Sequence, residues 1–104
     1  MSAKKVVLSN VEARNVVGSS IDRNGKGWIN VWEEFTGREA NKCIFLGCSE
    51  YPALGGHLFI KGRSQHYCYI APICNSCNND KSGDYFETKS NVAFMRLESL
   101  TCFK

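Results

Sequence analysis

Apolar positions shift their spacing along the chain, and each shift marks an expected element. Residues 5–17 scatter Val6, Val7, Leu8, Val11, Val16 and Val17 among polar neighbours. Their β-branched content predicts strand or extended backbone. From Gly18 to Gly27 a polar run with Ser19, Ser20, Asp22, Asn24 and Gly25 predicts a loop. Trp28, Val31, Trp32 and Phe35 then recur at i, i+3, i+4 and i+7, the spacing of one apolar helix face. Gly37 stands where such a helix would stop. The two tryptophans are expected to anchor that face in the core. Residues 57–62 and 66–71 read as two strands joined by a polar turn containing Gly62, Arg63 and Ser64. Pro72 is expected to end the second strand. A polar stretch from Asn78 to Asp84 follows, and then apolar runs around Tyr85–Phe86 and Val92–Leu97, the last compatible with strand or helix.

The chain has 104 residues, enough for one modest core. Its 43% hydrophobic content places it among folded rather than disordered chains. The expected fold is a single small α+β domain over 1–104: an N-terminal extension with the tryptophan helix (1–37), a central core (38–84) and a C-terminal extension (85–104). A core this small gains from a metal staple. A structural zinc ion can contribute about 10–16 kcal/mol of apparent binding energy.

Six cysteines supply the candidate ligands. Cys43-x4-Cys48 and Cys74-x2-Cys77 form two knuckle-like pairs on either side of the predicted hairpin. A short loop presents two sulfurs on one side, so two such loops can converge on one tetrahedral zinc. The expectation is one structural Zn2+ per chain held by Cys43, Cys48, Cys74 and Cys77. His57 or His66 could replace one sulfur. Cys68 and Cys102 lack a partner at knuckle spacing and are expected to be small buried apolar residues.

The N-terminal run Met1 to Leu8 has too few consecutive apolar residues for a signal peptide, and no stretch is long enough to span a membrane. A cytoplasmic, reducing location is therefore expected, where metal binding prevails over disulfides. A secreted domain with three disulfides is the alternative.

Two further features carry chemistry. Asp22-x-Asn24-Gly25-Lys26-Gly27-x-Ile29, ending at Glu33, follows the calcium loop of an EF-hand in part. Lys26 puts an ammonium at a ligand position, so calcium is not expected there. Lys61, Arg63, His66, Tyr67 and Tyr69 interleave cations with rings along the hairpin, a pattern suited to nucleic acid. Lys61, Arg63, His66 and Lys81 are the candidate nucleic-acid contacts. The formal charge of +3 is too small to establish such binding alone.

The order cysteine pair, Gly55-Gly56-His57 strand, second strand, then Pro72-Ile73-Cys74-Asn75-Ser76-Cys77-Asn78-Asn79-Asp80-Lys81 resembles the treble-clef zinc domains of the HNH endonuclease-like superfamily. The resemblance covers roughly residues 38–84. It implies a zinc knuckle, a β-hairpin and a second knuckle. It also implies that His57 occupies the position of the general base in a metal-assisted nuclease, and Cys74, Cys77, Asn78 and Lys81 match the downstream pattern. The chain departs from that family at Gly56, where an acidic metal ligand is usual. It also lacks the Asn that should precede Cys74. A hard cation needs oxygen ligands, and only Asn78, Asn79 and Asp80 are near in sequence. The reading is therefore a non-catalytic zinc module that recognises nucleic acid (DNA or RNA) or a protein partner, with no membrane. One alternative is an HNH-type nuclease using His57 with Mg2+ or Mn2+. Another is a structural or inhibitory protein-interaction domain.

Overall fold

A computed structural model describes residues 3–16, 27–81 and 83–102, the last two without their side chains. Six strands form one antiparallel sheet. They are β1 (Lys4–Leu8), β2 (Glu12–Asn15), β3 (Leu54–Ile60), β4 (Tyr67–Ile73), β5 (Phe86–Glu87) and β6 (Val92–Glu98). Their spatial order is β1-β6-β4-β3-β2-β5. Three helices accompany the sheet among the described residues: α1 (Gly27–Thr36), α2 (Asn75–Asp80) and α3 (Ser99–Cys102). The segment before the helix thus supplies one edge strand and one interior strand. The run 92–97, open between helix and strand in the sequence, is β6 at the sheet's interior, because its residues alternate between two buried faces.

Alternation sorts the core into two clusters. Leu58, Ile60, Tyr69, Ala71, Ile73 and Phe94 face one side, where Cys43, Phe45, Cys74 and Cys77 also pack. Cys68, Ile70, Ala93, Met95 and Leu97 face the other, against Trp32 of α1. Burial on both faces explains why β4 and β6 read as continuous apolar runs rather than clean alternations.

Helix α1 ends where expected. Gly37 adopts φ +74° and its N–H returns to the Glu33 carbonyl at 2.9 Å, a left-handed stop that favours glycine. The buried face differs from the predicted one. Trp32 is buried at 4% exposure, together with Thr36, whereas Val31 and Phe35 are 40% and 39% exposed. The helix is rotated because its N-terminal turn lies directly on β3. A Cβ added at Gly55 would come within 2.7 Å of Trp28. Trp32 then points inward and donates its indole N–H to the Ala93 carbonyl at 2.8 Å.

Pro72 does not end β4. It sits inside the strand opposite Gly55. Its missing N–H costs no ladder bond where it stands, while its carbonyl accepts the Ile44 N–H at 3.1 Å. Of the EF-hand-like run, residues 22–26 lie outside the described residues. Glu33, the last position of that run, accepts the Ala40 N–H at 2.7 Å.

Candidate metal centre

The first cysteine pair is held by a short turn and by the chain that follows β5. Cys48 N–H bonds to the Phe45 carbonyl at 3.1 Å, closing the turn. Gly47 at φ +82° takes the backbone through a conformation open to glycine. Phe45, 1% exposed, anchors the turn in the core. Strand-like pairing docks this turn on residues 87–89: Leu46 N–H meets the Glu87 carbonyl, Phe45 bridges Thr88, and Lys89 N–H meets the Ile44 carbonyl. The Lys89 side chain completes the clasp. Its ammonium donates to the carbonyls of both Cys43 and Cys48, at 2.6 and 2.5 Å.

The second pair opens α2. Cys74 is the residue before the helix, with extended backbone, and its sulfur accepts the Cys77 N–H at 3.4 Å. Asn15 on β2 fixes the helix against the sheet. Its Nδ2 donates to the carbonyl and to Oδ1 of Asn78, both at 2.9 Å.

These two units bring the four sulfurs of Cys43, Cys48, Cys74 and Cys77 within 4.8 Å of one another. Zinc–sulfur bonds of about 2.3 Å in a tetrahedron require sulfurs about 3.8 Å apart. The Cys48 and Cys74 sulfurs are 3.7 Å apart. All four cysteines are free thiols, and three are buried. The donor set and its spacing suit one zinc ion. Among the described residues this is the one His, Cys, Asp or Glu group close enough to hold a metal.

The thiols themselves favour a cation. Burial pushes the Cys43 thiol up. Cys77 is driven up further, by burial and then by its hydrogen bond to Cys74 and the charge of Cys43. Burial acts against ionisation of Cys74 as well. There the hydrogen bonds from the Cys77 N–H and from the thiols of Cys77, Cys48 and Cys43 outweigh it, and the group falls below its ordinary value. One sulfur thus ionises more readily than an ordinary thiol, among neighbours that ionise only at a cost. A divalent cation in their midst replaces those protons.

His57 lies elsewhere. A Cβ at Gly56 would point at Ile73, 2.5 Å from its Cδ1, on the cysteine side of the sheet. His57, the next residue, faces the opposite side. Its ring packs edge-on against Trp28 with centroids 5.3 Å apart, and it is 3% exposed. His66 is exposed in the hairpin turn and is not part of the sulfur group.

The hairpin candidates for nucleic acid do not all meet. Lys61, Arg63 and His66 are exposed around the β3–β4 turn, and Lys61 lies 3.8 Å from Glu12. Lys81 caps α2 instead and stacks on Phe86, 4.2 Å from the ring centre. Tyr69 is a core residue, edge-on to Phe94, and Tyr67 is covered by the Arg96 guanidinium at 4.2 Å. Cys68 also departs from expectation. It is fully buried but disulfide-bonded, not a lone apolar filler. The side chain of Cys102 lies outside the described residues.

Sequence reasoning missed Lys89, Thr88 and Asn15. Thr88 is fully buried and its hydroxyl donates to the Val11 carbonyl at 2.9 Å. Each is a polar residue whose role depends on a partner 41 or more positions away. No helix is long and apolar enough to cross a membrane among the described residues. No family model, curated protein or solved structure matches this chain. The likeness to the HNH superfamily therefore rests on the quoted residues alone.

Proposed function

We propose that this chain is a non-catalytic zinc-binding module whose metal centre has a treble-clef-like layout, and that it recognises nucleic acid. The observation that carries the zinc reading is the approach of four sulfurs from two separately folded loops to within 4.8 Å of one another, with Cys48 and Cys74 3.7 Å apart. The order of parts supports the treble-clef description: a knuckle at 43–48, the β3–β4 hairpin, and a second pair at the start of α2. The zinc would hold the knuckle to α2 across the sheet face. Its contribution is structural, since four sulfurs leave no open position for substrate or water.

Three features weigh against the nuclease alternative. A general base must reach the proton it removes, and His57 is buried beneath Trp28 on the face away from the cysteines. An acidic side chain at Gly56 would have to displace Ile73. The amide of Asn78 is engaged by Asn15, which draws one of the few nearby oxygens away from a hard cation.

Metal analysis of the purified protein tests the zinc reading. About one zinc per chain is expected, with loss of zinc and a strongly lowered melting temperature in Cys74→Ser or Cys77→Ser. Disulfides among Cys43, Cys48, Cys74 and Cys77 with no metal would overturn it. A plasmid nicking assay with magnesium or manganese tests the alternative. Nicking that disappears in His57→Ala would promote the nuclease.

A further inference from the structure

A cavity of about 210 Å³ opens beside the first knuckle, between the C-terminal end of α1, the knuckle and the loop before β6. Trp32, Ile44 and Val92 form part of its apolar floor. Its polar lining includes Arg38, Lys42 and Lys89 against one carboxylate, Glu39. Two of these cations are already fixed in place. Arg38 donates to the carbonyl and to Oδ1 of Asn91, at 2.7 and 3.3 Å. Lys89 is held on the Cys43 and Cys48 carbonyls, which sets a positive charge beside the negative charge a zinc-loaded cluster would carry. Lys42 is exposed at the rim.

We propose that this cavity seats a backbone phosphate of a nucleic-acid strand, with Arg38 and Lys42 as its principal contacts. The inference rests on the nucleic-acid reading above and moves the contact surface from the hairpin turn to the knuckle side. The size argues for a phosphate. Pockets for whole drug-sized ligands span about 300–1,000 Å³. This one, at about 210 Å³, falls below that range and has room for a tetrahedral oxyanion and its ester link. The chemistry agrees. A guanidinium offers five donors in a planar fork, and Asn91 engages only two of its nitrogens, so N–H groups remain for a phosphate oxygen. Anchored cations have little freedom left to lose on binding. A contact of this kind positions a strand without reading its sequence.

The test is fluorescence anisotropy of a labelled single-stranded oligonucleotide with the zinc-loaded protein, titrated across salt concentrations. R38Q/K42Q is expected to weaken binding about tenfold, and the slope of log K against log salt should shrink by about 0.7, the value for one phosphate contact on a single strand. R38K/K42R should retain most of the affinity. K61Q/R63Q at the hairpin turn should change neither quantity. Zinc content and melting temperature are measured for every variant. Should the double variant fail to fold, Lys42→Gln alone carries the test, with weaker binding and a slope change smaller than about 0.7. The reverse pattern, loss in K61Q/R63Q and none in R38Q/K42Q, overturns this inference and leaves the nucleic-acid reading intact. A zinc-loaded parent that binds no strand defeats both. If that parent nevertheless takes up inorganic phosphate and R38Q/K42Q does not, the strand assignment is overturned in favour of a free phosphate.

Discussion

Replacing Trp32 with alanine is the most direct test of how α1 sits on the sheet. Trp32 is 4% exposed and packs with Ile70, Ala93 and Met95. Removing a buried tryptophan side chain costs about 3–5 kcal/mol in transfer and cavity terms. Its indole also donates to the Ala93 carbonyl inside the core. An orphaned buried acceptor adds about 1–3 kcal/mol unless water reaches it. The expected loss is thus about 4–8 kcal/mol, much of the roughly 5–15 kcal/mol that holds a typical domain. Trp32→Phe separates the two contributions, because it keeps most of the packing and loses the hydrogen bond. It should cost about 1–3 kcal/mol. Phe35→Ala is the control. The sequence spacing places Phe35 on the same face as Trp32, yet it is 39% exposed, so its removal should change stability by at most about 1 kcal/mol. Urea unfolding followed by circular dichroism, with zinc held in excess, measures all three. If Phe35→Ala cost as much as Trp32→Ala, the helix would be turned as the bare periodicity suggests, and the rotation described above would be wrong.

Two other outcomes follow from the metal centre. Lys89→Met should weaken zinc retention by about tenfold or more in competition with a chelator, since partners that orient metal ligands typically contribute 10–100-fold; unchanged retention would show that the clasp on the Cys43 and Cys48 carbonyls is incidental. Stability should also depend on pH in opposite senses with and without metal. In the metal-free fold the thiols of Cys43 and Cys77 are raised, so the folded state holds their protons longer than the unfolded chain; stability is then lost as pH rises above the ordinary thiol value of about 8.5, offset in part by the lowered Cys74. With zinc the thiolates are the bound form, and stability is lost as pH falls and protons compete for sulfur. Parallel melting curves of the two forms across pH check this, and slopes of the same sign would contradict it.

The cysteine pairs were legible because their chemistry is local. Each pair lies within one short turn, and that turn alone orients two sulfurs. The hairpin and the existence of α1 were legible for the same reason, since periodicity and a stop glycine act within ten residues. The helix face was not. Its rotation is set by the close approach of Trp28 to Gly55, and nothing inside the helix encodes that contact. Strand order was hidden as well. β6 lies between β1 and β4, so the last strand pairs with the first, and only long-range packing decides that. Cys68 was misjudged because a disulfide has no required sequence spacing.

His57 shows how a motif and a fold can disagree. In a sequence, Gly55-Gly56-His57 next to paired cysteines suggests a catalytic strand beside a metal. In a sheet, neighbouring residues face opposite sides. The contact of Gly56 with Ile73 assigns that residue to the cysteine side, and so assigns His57 to the helix side. A one-residue change in register would exchange the two, but it would also expose Leu58 and Ile60, which are buried at 0% and 2%. The hydrophobic pattern of β3 therefore decides where the histidine points. The same pattern keeps His57 out of the group of four sulfurs.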